Sequence, residues 1–223
     1  MRKLATIFFV CCFAFASGQI RTIKTDLYEV TYSEDLEQPK IMKYKYGLVT
    51  PKFKAVISNT DVKETYGEVS FPEPLEKINY TWVRPKNIKT SDKKDYANNK
   101  YDHGHLVPKR YFVENKANRK YLFSYLNCAL MHEDLNKGPW KALENKEFKM
   151  AKNNNNVHVE ILVNFDQNSK TLETGATVPT SFTKTIYYNV DFMGNLSKAS
   201  KITYVFPNDS SVKGKSIDDY LVE

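Results

Sequence analysis

The most informative part of this sequence is residues 101–108, which read Tyr-Asp-His-Gly-His-Leu-Val-Pro. After it come Asn127 and then residues 134–144, which read Asp-Leu-Asn-Lys-Gly-Pro-Trp-Lys-Ala-Leu-Glu. Two histidines at positions i and i+2 can lie on one face of a β-strand. Histidine, aspartate, asparagine and glutamate gathered around a glycine predict a polar site in this part of the chain.

Two kinds of metal site are compatible with these residues. His103 and His105 could form a zinc pair, but His132 is the nearest further ligand and its spacing matches no common zinc signature. The alternative is a hard cation such as Mg²⁺, which prefers oxygen and often takes only one or two groups from the protein. An Asn or Glu side chain and a substrate phosphate would then suffice. A neutral histidine nearby could deprotonate water, as phosphodiester hydrolysis requires.

The sequence on either side of this stretch is rich in β-like segments. They cover residues 28–32, 41–48 and 69–71 before it, and residues 157–165, 182–190 and 202–206 after it. The polar run 153–156 reads as a surface loop, and the best helix candidate is 139–150. Strands on both flanks and a helix in the middle predict an α+β fold with a central mixed or antiparallel sheet.

Residues 1–18 are predicted to be a signal peptide. Arg2 and Lys3 precede an apolar run over 4–15, and small residues follow at 16–18. This run is too short for a permanent transmembrane helix, although a retained anchor is the alternative. We therefore expect a secreted or periplasmic protein without stable membrane association, whose single domain covers residues 19–223.

Charge and cysteine content narrow the function further. The chain has 33 basic and 26 acidic residues, a net charge of +7, and removal of Arg2 and Lys3 lowers the net charge to +5. A basic excess fits a polyanionic partner without proving one. Cleavage would leave Cys128 as the remaining cysteine, which excludes an intramolecular disulfide. Its apolar neighbours predict a buried side chain rather than a nucleophile.

The spacing of these residues matches a known pattern. Asp-x-Gly-His-Leu-x-Pro, followed by Asn-x8-Asn-x-Gly-x-Trp-x-x-Leu-Glu, resembles the DNA/RNA non-specific endonuclease family, whose site is a ββα-metal finger. Segments similar to the family follow one another in order at 28–34, 38–39, 178–184, 206–208 and 217–222. The resemblance implies an Mg²⁺-dependent enzyme, with Mn²⁺ as a substitute, that cuts DNA and RNA and leaves 5′-phosphorylated products.

The same resemblance implies a role for each motif residue. His105 corresponds to the general base that activates the attacking water, and Asn136 corresponds to the single protein ligand of the metal. Glu144 corresponds to a carboxylate that orients the waters around the metal. Asp102 opens the motif and is expected to brace its loop, and Asn127 is expected to support the site.

One position departs from the family pattern. The family usually has arginine where this sequence has His103. Arginine is always charged and forks onto phosphate oxygens, so a protonated His103 would replace it only in part, mainly below neutral pH. Arg84 and Lys86 are further candidates for phosphate binding. We expect lower activity or an acid-shifted pH optimum as a result.

Other interpretations stay open at this point. Asn136 could simply cap the following helix, and Glu144 could lie on a solvated helix face. The protein could be a weakened or inactive relative that only binds nucleic acid, or a phosphodiesterase for small nucleotides. A homodimer is open as an assembly, because relatives include dimers.

Overall fold

A computed structural model describes residues 19–46, 56–59, 81–153, 156–191 and 193–222. The predicted signal peptide and the predicted strand at 69–71 lie outside the described residues. Within the described part of the chain, no helix has the length and apolar character needed to cross a membrane.

The described residues form nine β-strands and four α-helices. The strands are β1 (Ile20–Lys24), β2 (Tyr28–Ser33), β3 (Gln38–Tyr46), β4 (Val56–Asn59), β5 (Tyr101–His105), β6 (Cys128–His132), β7 (Val157–Asn164), β8 (Ser181–Tyr188) and β9 (Ser200–Pro207). The helices are α1 (Lys109–Phe112), α2 (Arg119–Leu122), α3 (Glu133–Leu135) and α4 (Lys141–Asn153).

Seven of these strands form one antiparallel sheet in the order β4-β1-β2-β3-β7-β8-β9. The predicted α+β fold with an antiparallel sheet is therefore confirmed. Apolar and polar side chains alternate along the strands, so the apolar side chains gather on one face of the sheet and form the core. In β7, for example, Val157, Val159, Ile161 and Val163 are all buried, while the residues between them are more exposed.

The second layer is built between β4 and β7, where the chain leaves the main sheet. Here β5 and β6 pair as an antiparallel ribbon, with His105 opposite Cys128 and Tyr101 opposite His132. Trp140 packs on the sheet, its ring centroid 5.5 Å from that of Phe182. Ribbon and α4 together form a ββα unit laid across the sheet.

The start of α4 differs from the predicted helix over 139–150. Residues Asn136–Trp140 form a wider, π-helical turn, and α4 itself begins at Lys141 and continues to Asn153. Gly138 breaks the helical geometry, with φ −102° and ψ −114°. The cause is Pro139, because proline disfavours the α conformation in the residue before it.

Two buried amide side chains attach the ribbon to the main sheet. Gln38 accepts a hydrogen bond from the Leu130 N–H through Oε1, at 3.1 Å. Asn208 accepts from the His132 N–H at 2.7 Å and donates to the carbonyls of Leu130 and Pro179 at 2.9 and 2.8 Å. Both amides bond to backbone groups of β6, so they fix the position of the ribbon without depending on its side chains.

A buried ion pair fixes α4 on the sheet. The Lys184 Nζ and Glu147 Oε1 atoms lie 2.5 Å apart, and both side chains are fully buried. The second carboxylate oxygen of Glu147 accepts hydrogen bonds from the hydroxyls of Tyr44 and Tyr46, at 2.7 and 3.0 Å. The ammonium group also lies 4.3 Å from the centroid of the Trp140 ring. This network joins β3, β8 and α4 directly beneath the polar site.

Candidate active site

Strand β5 presents His103 and His105 on one face, as the i, i+2 spacing predicts. Both rings contact Trp82, with centroid distances of 4.9 Å for His103 and 4.7 Å for His105. Gly104 lies between them and faces Met131, where an added Cβ would overlap the Met131 Cβ and lie 2.9 Å from its Cε. The glycine is therefore required by space, because the strands of the ribbon are closely packed at this point.

The backbone around His105 is held by two buried side chains. Asn127 accepts a hydrogen bond from the Val107 N–H at 2.8 Å, and it donates to the carbonyls of Val107 and Leu122 at 3.2 and 3.1 Å. Trp140 donates its indole N–H to the carbonyl of His105 at 3.1 Å. Asn127 thus fixes the backbone two residues after His105, and its supporting role in the site stays a prediction.

A pocket of about 280 Å³ opens between the ribbon and α4. It brings together His105, Asn136 and Glu144, three of the residues singled out by the sequence. Four cationic residues also line it, and the remaining lining residues are three aromatic residues, one asparagine and one proline: Lys109, Arg110, Lys137, Lys141, Tyr46, Tyr111, Phe148, Asn145 and Pro108. The pocket therefore combines a histidine, an amide and a carboxylate with a positively charged rim.

Asp102 orients the amide of Asn136. The Nδ2 group of Asn136 donates to Asp102 Oδ2 at 3.0 Å, and Lys137 Nζ lies 3.3 Å from the same oxygen. Lys137 also pairs with Glu133 at 2.9 Å. Because Nδ2 is engaged by the carboxylate, the amide presents its carbonyl oxygen Oδ1 to the pocket as an acceptor.

His105 is a neutral imidazole at physiological pH. Burial, together with the nearby Lys109 and His103, lowers its pKa to about 3. Its Nε2 atom is buried and has no hydrogen-bond partner among the described residues. A neutral ring of this kind has a lone pair with which to accept a proton.

Glu144 is not on a solvated helix face. Its side chain is partly buried in the pocket, and burial raises its pKa to about 7. Lys184 opposes this shift, and Glu147 adds to it. A carboxyl group in this position is sensitive to any positive charge that enters the pocket.

His103 lies between two aromatic rings, outside the pocket lining. Its ring stacks on Tyr96 at 3.8 Å and 15°, and on Trp82 at 4.9 Å and 14°. Burial lowers its pKa to about 4, although Asp102 opposes this shift. At neutral pH the ring is therefore uncharged, which differs from the protonated phosphate-binding group expected from the sequence.

The other two predicted phosphate-binding residues also lie away from the pocket lining. Arg84 is directed to Asp92 Oδ2 at 3.5 Å and to the carbonyl of Thr90 at 3.3 Å. Lys86 is exposed. None of Arg84, Lys86 and His103 lines the pocket, although His103 and His105 both contact Trp82. Basic residues that follow the motif line the pocket instead, and their positive charge was the single sequence signal that pointed to them.

The ligand set fits a cation that takes few protein groups better than it fits zinc. Within the described ranges, no group of three or more His, Cys, Asp or Glu side chains could hold a metal ion. His132 lies at the opposite end of the ribbon from His105, and its Nδ1 accepts the N–H of Asp134 at 3.2 Å. The zinc pair therefore lacks its third ligand, whereas the Asn136 carbonyl oxygen and Glu144 suit Mg²⁺.

Comparison with known proteins agrees with this geometry. The family model for DNA/RNA non-specific endonucleases matches residues 14–223. Among solved structures, the fold is similar to a chain in the crystal structure of the EndoG/EndoGI complex, which concerns the mechanism of EndoG inhibition. That similarity has a TM-score of 0.62 and 17% sequence identity, and covers 91% of this chain and 80% of the other. No curated protein matches this sequence.

Proposed function

Since this chain belongs to the DNA/RNA non-specific endonuclease family, we propose that it is a metal-dependent endonuclease that hydrolyses phosphodiester bonds in both DNA and RNA. The observation that carries the proposal is the single pocket shared by His105, Asn136 and Glu144. The pocket offers a proton acceptor, an oxygen ligand and a carboxylate beside a cationic rim, which are the groups that phosphodiester hydrolysis needs.

Mg²⁺ is the proposed cofactor, with Mn²⁺ as a substitute. Asn136 would bind it through Oδ1, because Asp102 already engages Nδ2 at 3.0 Å. When bound, the cation stabilises negative charge on the phosphate and on the leaving oxygen. Glu144 would then orient water around the cation, and we expect the nearby positive charge to keep its carboxyl group ionised.

His105 is the proposed general base. Its unpartnered Nε2 takes a proton from the attacking water, whose oxygen forms the new bond to phosphorus. The bond between phosphorus and the 3′-oxygen breaks, the 5′-phosphate remains on one fragment, and the 3′-oxygen takes a proton from solvent water and leaves as a hydroxyl. Asn127 and Trp140 hold the backbone on both sides of this step and keep the imidazole aimed into the pocket.

Several broader properties follow as part of the same proposal. Contacts to phosphate and sugar carry no direct base information, so cleavage is expected without sequence preference. Acceptance of both DNA and RNA follows if the 2′-hydroxyl is not read. Export through the segment 1–18 remains our expectation for the cellular location.

Digestion of supercoiled plasmid tests the proposal. The protein without residues 1–18 is incubated with plasmid and Mg²⁺, with plasmid and EDTA, and as the His105→Ala variant. We expect nicking and linearisation with Mg²⁺, none with EDTA, and a loss of about 10²- to 10⁴-fold in His105→Ala. His158→Ala is the matched control, because His158 on β7 is also partly buried but bonds to Asn156, outside the pocket.

The outcomes separate the rival functions. Binding of plasmid without cleavage would support an inactive relative that only binds nucleic acid. Hydrolysis of a small nucleotide diester without cutting of closed circular plasmid would support the small-nucleotide phosphodiesterase. Equal losses in His105→Ala and His158→Ala would remove His105 from the role of base.

A further inference from the structure

The stacking of His103 leaves the proposed nuclease without its expected phosphate-binding cation. The ring is held between Tyr96 and Trp82 and does not line the pocket. A polyanionic substrate still requires positive charge close to the scissile phosphate. The cation must therefore come from another element of the fold, an inference that rests on the proposed function.

The cations of the pocket are not equivalent. Lys137 is engaged by Asp102 and Glu133, at 3.3 and 2.9 Å. In contrast, Arg110 and Lys141 have no ion pair with a carboxylate among the described residues. Arg110 therefore has no carboxylate partner that a substrate would have to displace, whereas Lys141 lies close enough to Glu144 to favour the ionised form of its carboxyl group.

Arg110 is moreover held in place by uncharged groups. Its guanidinium carbon lies 5.2 Å from the centroid of the Phe148 ring, and its Nη1 donates to Asn145 Oδ1 at 2.9 Å. Asn145 directly follows Glu144 on α4, so this bond ties the guanidinium to the helix that carries the site carboxylate. Such anchoring reduces the side-chain freedom that would be lost on binding a phosphate. One N–H is used, and the others have no partner among the described residues.

We propose that Arg110 is the residue that grips the substrate phosphate in this protein, and that Lys141 adds a second positive charge. Helix α1 thus supplies to the pocket the guanidinium that position 103 lacks. The planar fork of Arg110 matches two phosphate oxygens, which lysine cannot do. The ring of Phe148 orients the guanidinium without neutralising it.

Binding measurements without cleavage test this directly. All variants carry His105→Ala and are titrated into a fluorescein-labelled single-stranded DNA oligonucleotide in EDTA, with anisotropy as the readout over a series of salt concentrations. For Arg110→Ala we expect the Kd to rise about 10-fold or more, and the slope of log K against log salt to fall by about 0.7. Arg110→Lys should keep the salt slope but recover only part of the affinity, since it retains charge without the fork.

Lys45→Ala is the matched control. It removes one exposed positive charge from β3, at a position outside the pocket lining. We expect its Kd and salt slope to stay within about twofold of the parent. Equal effects of Lys45→Ala and Arg110→Ala would overturn the proposal, because they would show only a general effect of surface charge.

Cleavage assays with His105 intact separate this proposal from the proposed function. Arg110→Ala should cut plasmid with a raised KM or a reduced kcat/KM, while Lys45→Ala should match the parent. If the parent cuts plasmid and Arg110→Ala cuts it equally well, the role of Arg110 is overturned and the nuclease stands. If the parent neither binds nor cuts nucleic acid, both proposals are overturned.

Discussion

Lys184→Met should reduce the free energy of unfolding by about 3–5 kcal/mol, the cost of leaving one partner of a buried ion pair alone. Lys184 and Glu147 are both fully buried, and their charged atoms lie 2.5 Å apart. Methionine keeps most of the side-chain volume beside Trp140, so little of the loss should come from a cavity. What changes is that Glu147 Oε1 has no counter-charge, while Oε2 retains the hydroxyls of Tyr44 and Tyr46.

Urea denaturation followed by far-UV circular dichroism measures this loss. The slope of the free energy against urea should stay constant, so that the midpoint alone moves. The double variant Lys184→Met, Glu147→Gln should be more stable than Lys184→Met, because the unpaired charge is gone. Lys43→Met is the control: it breaks a surface pair with Glu160 at 3.2 Å, and should cost less than about 1 kcal/mol.

Two results would refute this reasoning. A loss in Lys184→Met no greater than that in Lys43→Met would mean that the buried pair is solvated or replaceable. A double variant less stable than Lys184→Met would mean that the tyrosine hydroxyls, rather than the missing cation, dominate the energy of Glu147.

Four further predictions follow from the site. Because the folded-state pKa of Glu144, about 7, lies above its ordinary value of 4.5, its contribution to stability is present below pH 4.5 and is lost as pH rises from 4.5 to 7. Glu144→Gln should therefore raise the urea midpoint at pH 8 and change it little at pH 4; a midpoint that never rises would contradict the shift. The pKa of His103, about 4, lies below its ordinary value of 6.5, so the free energy of unfolding falls as pH falls from 6.5 to 4. His103→Phe keeps an aromatic ring between Tyr96 and Trp82, and its urea midpoint should fall less over that pH range. Asn127→Ala leaves the Val107 and Leu122 backbone groups unpaired and should lower the free energy of unfolding, measured by chemical denaturation, by about 2–4 kcal/mol. An unchanged free energy of unfolding would count against a supporting role for Asn127. Gly104→Ala should force the ribbon apart at Met131 and lower the thermal midpoint by several degrees in calorimetry, and a normal midpoint would show that the ribbon yields easily.

Strands in which buried and exposed residues alternate could be predicted from the sequence. The predicted segments 28–32 and 157–165 correspond to β2 and β7, because alternation of buried and exposed side chains is a property of neighbouring residues. The buried state of Cys128 also followed from its apolar neighbours, and the thiol is fully buried. The motif spacing likewise placed His105, Asn136 and Glu144 together.

Contacts between distant residues could not be predicted in the same way. Lys184 and Glu147 are 37 positions apart, and neither residue has a neighbour in sequence that indicates a buried charge. The place of His103 depends on Trp82, which a parallel bridge between Val83 and Ser124 brings to β5. The sequence shows that position 103 is a histidine on the same strand face as His105. The orientation of its ring depends on stacking with Trp82 and Tyr96, which belong to other segments of the chain.

The chain has two tryptophans, and both touch His105. The Trp82 ring lies 4.7 Å from its imidazole, and the Trp140 indole donates to its carbonyl at 3.1 Å. Intrinsic tryptophan emission is therefore a label-free optical signal that originates entirely from residues in contact with His105. Trp82→Phe would leave only the emission of Trp140, which directly precedes α4. Trp140→Phe would leave only the emission of Trp82, which stacks on His103. Cation and oligonucleotide titrations could then be followed from two sides of the same histidine, without attaching a dye.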